Sequence, residues 1–131
     1  MNIKTLILQT REYYKSLEPV YCPILDQTIY FSSDGFNHLI YDTNRKPRNI
    51  NEQYLKLKCL SQVKKVIEKC VHITETRTMV SQDDHELTFY SLELGEIRVI
   101  IKRKGTGKYK FQSIMPTISR RKNKKRLTRR S

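Results

Sequence analysis

The hydrophobic period of the chain changes once, near Val71, and that change restricts the fold more than any other feature. Before it the apolar residues recur at helical spacing. Over residues 2–17 the set Ile3, Leu6, Ile7, Tyr13, Tyr14 and Leu17 does so, and Pro19 stops it, which predicts an amphipathic helix. Residues 49–72, "NINEQYLKLKCLSQVKKVIEKCVH", place Ile50, Tyr54, Leu57, Leu60 or Ser61, Lys64 and Ile67 at mixed spacings of three and four. A second long helix is expected there, capped by Asn49 or Asn51. After Val71 the period becomes two. "HITETRTMV", "ELTFYSLEL" and "EIRVIIKRK" alternate, "YKFQSIMP" follows the tight turn "GTGK", and "LGE" marks another turn. Pro116 terminates the last of these strands.

Two helical runs followed by four strands predict an α+β domain, a four-stranded antiparallel meander with N-terminal helices packed on one face. Between the helical runs, Pro23 keeps the chain extended and "QTIYF" (27–31) is a short strand with Ile29 and Phe31 on one face. The turn formers Ser32, Ser33, Asp34 and Gly35 end it, and a short helix bearing His38 follows. A chain of 131 residues with 37% apolar content supports one modest core. Residues 1–118 are expected to form that single domain. The segment 119–131, "SRRKNKKRLTRRS", cannot pack a core and is expected to stay disordered until it meets an anion.

Charge narrows the function. Lys and Arg number 26 against 13 Asp and Glu, for a net charge of +13, and the sequence pI is about 9.8. Eight of the cations lie in the last 13 residues, yet the remaining chain still holds 18 basic against 13 acidic side chains. A polyanionic partner, RNA or DNA, is the natural counterpart of such a surface. Four glycines in the whole chain leave no Gly-rich loop for a nucleotide. Cys22, Cys59 and Cys70 form no CxxC pair, His38, His72 and His85 lie far apart, and "SQDDHE" reads as a solvated turn, so no metal and no cofactor is expected. Cys59 and Cys70, 11 residues apart, fall on one helix face as buried free thiols. Lys4, Arg11 and Glu12 interrupt the first apolar run. Neither a signal peptide nor a membrane span is expected, and the location is read as cytoplasmic.

A strand ending in Phe31, a turn with Gly35, "NHL" at 37–39, arginines at 45 and 48, a long helix, and strands closing with a Lys-rich hairpin and "FQSIMP" together resemble the phage-associated nucleases of the barnase, EndoU, colicin and RelE-like superfamily. The resemblance covers residues 24–117. It implies metal-independent RNA cleavage on a four-stranded antiparallel sheet, with His38 matching the histidine after the first strand and Ser113 the hydroxyl residue of the last. Where several relatives carry a second histidine, this chain has Tyr41, Asp42 and Arg45, which moves the weight onto His38 and basic side chains.

The chemistry agrees with that selection. Cleavage without a metal needs a base for the ribose 2′-hydroxyl, positive charge for the phosphate oxygens and an acid for the leaving oxygen. An imidazole with an ordinary pKa of about 6.5 exchanges protons near neutrality. Arg45 and Lys102 are the expected transition-state cations, and Arg48, Arg98, Lys108, Lys110 and the tail residues Arg120, Arg121, Lys122, Lys124, Lys125 and Arg126 the expected phosphate contacts. Strand alternation puts Ile97, Val99 and Ile101 toward the helices and Lys102 and Arg98 outward. Alternation also groups Ser113 with Tyr109, Phe111 and Met115, so either a bulge re-aims it or it is a buried hydroxyl bonded to backbone.

Plainer readings stand beside these. His38 alone between Asn37 and Leu39 also fits a structural histidine, and Arg45 and Arg48 also fit capping of the short helix or pairing with Glu52. The reading adopted is a small endoribonuclease that leaves 2′,3′-cyclic phosphate, acting as a toxin or a phage or mobile-element effector with an antitoxin or immunity protein as partner. The alternative is a non-catalytic RNA- or DNA-binding module of the ribosomal-protein kind. A third possibility is an interaction protein whose tail binds nucleic acid incidentally.

Overall fold

The computed structural model describes residues 2–117. Helix α1 (Ile3–Lys15) starts where the Asn2 side chain accepts a hydrogen bond from the Thr5 amide. Its inward stripe is Ile3, Leu6, Ile7, Thr10 and Tyr14, with Leu17 packing just beyond its end, Thr10 and Tyr14 the most buried and Tyr13 turned outward. A short hairpin follows, β1 (Val20–Cys22) and β2 (Gln27–Tyr30), turned at Asp26 with a left-handed φ of 52°. Then come α2 (Ser33–Ile40), α3 (Ile50–Cys59), a 3-10 turn (Leu60–Gln62) and α4 (Val63–Lys69). Four strands close the described chain: β3 (Ile73–Val80), β4 (Glu86–Leu94), β5 (Ile97–Lys104) and β6 (Tyr109–Pro116).

The α+β class holds, but the sheet is not the expected four-stranded antiparallel one. Among the described residues it has six strands in the order β1-β2-β6-β5-β4-β3, and it is mixed, because β2 lies parallel to β6 through Ile29 opposite Tyr109 and Tyr30 opposite Lys110. The meander β3 to β6 is antiparallel as its period suggested. What the period could not reveal was the β1-β2 hairpin: Pro23 lies in the turn of that hairpin, with its carbonyl accepting from Asp26, and does not extend the chain.

The expected long helix over residues 49–72 is also corrected. It breaks at Leu60, where Ser61 returns its hydroxyl to the Lys58 carbonyl and the chain tightens into the 3-10 turn. The break rotates the stripe, so Val63, Val66 and Ile67 are buried with Leu60 while Lys64 faces out; Ile50, in the first turn of α3, is exposed as well. Asn49 is the cap, accepting from the Glu52 amide. Cys70 sits at the end of α4 and packs with Cys22 of β1, not on a helix face shared with Cys59, which is only partly buried.

Phe36, Leu39, Ile40, Leu57, Leu60, Val63, Val66 and Ile67 from the helices meet Ile29, Leu92, Val99, Ile101, Phe111 and Ile114 from the sheet in one core. Tyr14 joins Phe31, Phe36 and Phe111 in an aromatic cluster with ring centroids 5.4–6.0 Å apart. Beyond Lys110, β6 has no strand beside it on the β2 side among the described residues. Helices α2 and α3 cover that edge. Gly35 makes the approach possible: a Cβ there would lie 2.6 Å from the Phe111 carbonyl oxygen and 2.7 Å from the Tyr14 hydroxyl, which itself donates to the Ser32 carbonyl. No helix among the described residues is long and apolar enough to cross a membrane. The basic segment 119–131 lies outside the described residues, as does Ile118.

A Gly-to-Ala change within a helix ordinarily stabilises by up to about 1 kcal/mol. Gly35→Ala should do the opposite here, destabilising by about 1–3 kcal/mol because the methyl overpacks a backbone carbonyl. A urea unfolding curve with a lower midpoint and an unchanged slope is the expected result.

Candidate functional site

Because α2 lies along the edge of β6, its side chains reach both faces of the sheet. Phe36 and Leu39 go into the core, and half-buried His38 goes to the open face. There a cleft of about 560 Å³ is lined by Asp34, His38, Arg45, Lys102 and Gln112 among others. A second cleft of about 610 Å³ continues from it across the sheet, sharing His38, Thr43 and Gln112 and adding Arg48, Lys56, Arg77, Phe89, Ile100 and Ser113.

The loop between α2 and α3 is folded tightly against the site. Asp42 accepts from the amides of Asn44 and Lys46, Tyr41 bridges to Pro47, and Arg45 takes a left-handed φ of 62°. A residue other than glycine in that conformation is uncommon, and here it presents the Arg45 side chain at the rim of the His38 cleft. Gln53 of α3 ties the loop down by donating to the carbonyls of Ile40 and Arg48. Arg48 realises both of its structural alternatives: its Nε donates to the His38 carbonyl at 2.8 Å, and its Nη1 reaches Glu52 at 3.4 Å.

Sheet register decides Ser113. Ile101 pairs with Phe111 and Ile100 with Ser113, so Gln112 is an extra residue, a β-bulge. Simple alternation from Phe111 would bury Ser113 in the core with it. The bulge moves Ser113 to the face of Ile100, and Gln112 opens toward both clefts. The Ser113 hydroxyl accepts not from backbone but from Lys56 Nζ at 3.2 Å, while the same ammonium reaches the Ile114 carbonyl at 3.5 Å.

Lys56 is a residue that sequence reasoning passed over. It is 8% exposed, and burial, followed by the charge of Arg48, pushes its pKa down from 10.5 to about 8, against the pull of Glu52 and Cys59. The signal was available: with Gln53 and Leu57 it lies in the inward stripe of α3, where a lysine is out of place. His38 is lowered below 6.5, first by burial and then by Arg48 and Lys102, with Lys56 adding to them and Asp34 opposing. The imidazole is therefore the neutral, proton-accepting form at neutral pH.

The expected residues thus divide. His38, Arg45 and Lys102 share one cleft, and Ser113 with Arg48 lines the adjoining one. Lys110 pairs with Lys102 across β5 and β6 and is exposed on the same face. Arg98 lines the second cleft but is engaged with Glu93 at 2.7 Å, both side chains largely buried. Lys108 sits elsewhere, its ammonium 4.5 Å from the Tyr30 ring centroid, in a depression with Arg103 and Tyr109. Arg120, Arg121, Lys122, Lys124, Lys125 and Arg126 lie outside the described residues. Among the described residues no three His, Cys, Asp or Glu side chains group as metal ligands. No family model, curated protein or solved structure matches the chain.

Burial of Lys56 has a consequence for stability. Between about pH 8 and 10.5 the unfolded chain holds the Lys56 proton and the folded chain does not, so the wild type gains stability across that window as pH rises. Lys56→Met, isosteric and uncharged, should be at least as stable at pH 7 and should lose that advantage by pH 10, as read from urea unfolding of both proteins at the two pH values. A difference that does not vary with pH would mean that Lys56 is not held in a desolvated site.

Proposed function

We propose that the protein is an endoribonuclease that uses the ribose 2′-hydroxyl of its substrate as nucleophile and works without a metal. The observation that carries this reading is the half-buried imidazole of His38, its pKa held below the ordinary value by burial and neighbouring cations, in an open cleft that also holds Arg45 and Lys102. His38 takes the 2′-hydroxyl proton, and the oxygen attacks the adjacent phosphorus. Arg45 and Lys102 stabilise the added negative charge on the phosphoryl oxygens, a type of interaction often worth more than any other in catalysis. The P–O5′ bond breaks, leaving a 2′,3′-cyclic phosphate and a 5′-hydroxyl. Guanidinium keeps its protons, so of the two cations in this cleft Lys102 is the one that can protonate the leaving oxygen.

Ser113, which the resemblance matches to the hydroxyl residue of the last strand, is 7% exposed and bonded to Lys56, which suits it to holding that ammonium. Lys56 and Arg48 act through charge: both keep the His38 imidazole unprotonated. Lys110 and the basic segment 119–131 supply phosphate contacts without reading bases. A cell that makes such an enzyme needs to restrain it, which makes an antitoxin or immunity protein the expected partner.

Incubation with total RNA in EDTA, followed by mapping of the ends, tests the reading. Cleavage should persist and leave cyclic phosphate. His38→Ala should slow it by about 100-fold or more with RNA affinity near normal, because proton-transfer groups contribute roughly 10²–10⁴ and act in the transition state. Tight binding with no cleavage by the wild type would favour a non-catalytic binding module.

The pH profile provides a separate check. A base must be neutral to act, so the rate should rise with pH and level off above an inflection lying below 6.5. Lys102→Gln removes a cation that depresses the imidazole. It should lower the plateau and move the inflection upward; an inflection that stayed in place would assign the titration to another group.

A further inference from the structure

Among the described residues strand β3 is the last strand of the sheet, eight residues long, and every residue from Thr74 to Val80 is exposed. The opposite edge, β1, is only three residues. A long exposed edge offers a row of unpaired amides and carbonyls to another strand. The order of residues along this edge indicates which strand. Thr74-Glu75-Thr76-Arg77-Thr78 reads the same in both directions except that glutamate and arginine exchange places about Thr76.

We propose that the chain forms a two-fold dimer in which β3 pairs antiparallel with β3 of a second copy, in the register centred on Thr76. That register sets Glu75 opposite Arg77 of the second copy and Arg77 opposite its Glu75. Thr74 and Thr78 fall opposite each other, and Thr76 opposite itself. Directly opposed side chains in an antiparallel pair lie close enough to interact, and opposite charges there are favourable while like charges are not. The neighbouring registers lack the match: centring on Arg77 sets guanidinium against guanidinium, and centring on Thr78 sets Arg77 against Met79. One register is therefore specified by charge, and the interface is the self-complementary kind that two-fold symmetry requires.

The two charges are available for such pairing. Among the described residues neither Glu75 nor Arg77 has an ion-pair partner, whereas Arg98 and Lys104 on neighbouring strands are paired with Glu93 and Asp83. Met79 and Val80, 45% and 70% exposed, lie at the end of the same edge, where the start of the partner strand would cover them. The bulge at Thr74 ends the regular pairing of β3 with β4, so the straight part of the strand begins at Glu75. Glu75, Arg77 and Met79 all line the second cleft. Pairing in this register puts the open faces of both copies on the same side of one continuous sheet, with the charge pairs between the two clefts.

Sedimentation velocity of the full chain over a range of concentrations, at about 0.15 M salt so that the net positive charges are screened over roughly 8 Å, tests the proposal. The wild type should sediment as a dimer. Glu75→Arg and Arg77→Glu should each weaken the dimer by on the order of tenfold or more, since each converts both cross-strand pairs to like charges. The double variant Glu75→Arg/Arg77→Glu restores both pairs and should dimerise like the wild type. An equimolar mixture of the two single variants should form a heterodimer, because one strand then carries two arginines and the other two glutamates. Circular dichroism of each variant confirms that it is folded. A wild type that stays monomeric, single variants that dimerise undiminished, or a folded double variant that stays monomeric would each overturn the proposal.

Discussion

The contact on which the rest of the structure depends is the approach of α2 to the open edge of β6. Strand β2 covers that edge only as far as Lys110, which leaves the carbonyls of Phe111 and Ile114 without a strand beside them among the described residues. A helix can fill the place only if its backbone comes close, and Gly35, with no Cβ, permits it. The Tyr14 hydroxyl fixes the entry to α2 through Ser32, and the aromatic cluster around Tyr14 closes the gap from the core side. From that docking follows the position of His38 on the open face, while Phe36 and Leu39 on the same helix serve the core.

A second consequence is the burial of a lysine. Helix α3 follows α2 along the same edge, so a residue of its inward stripe meets β6, and that residue is Lys56. A buried ammonium is tolerable only with partners, and Ser113 and the Ile114 carbonyl provide them. Ser113 is in place because Gln112 bulges out of the β5-β6 ladder and reverses the alternation of β6. Edge, lysine and bulge therefore form one unit. Its electrical effect reaches His38, where Lys56 adds to the larger influence of Arg48 and Lys102 in holding the imidazole neutral.

Much of this was legible in particular residues. Alternation in Ile97-Arg98-Val99-Ile100-Ile101-Lys102 assigned Val99 and Ile101 to the core and Lys102 to the open face, and both assignments hold. The first helix and the four strands after Val71 lie where their periods put them, although Tyr13 of the expected stripe faces out. Other features were open to two readings that only contacts could decide. Arg48 lay within reach of the end of the short helix and of Glu52, and it touches both. Lys56 carried a signal, charge within an apolar stripe, whose meaning depended on what the stripe faced.

What the sequence by itself determined was periodic and local: where helix gives way to strand, which face of β5 is apolar, and the excess of positive charge. These follow from the geometry of one element at a time, so neighbouring residues suffice to specify them. Only the tertiary structure decided the parallel pairing of β2 with β6, the break at Leu60, the bulge at Gln112 and the convergence of His38, Arg45 and Lys102. Each of these depends on what lies across a strand or under a helix, between residues tens of positions apart, and no local period encodes that. Gly35 shows the difference most plainly, since its place in a turn-forming run suggested a turn, and the fold sets it in α2 and uses its missing side chain as the space into which a strand edge fits.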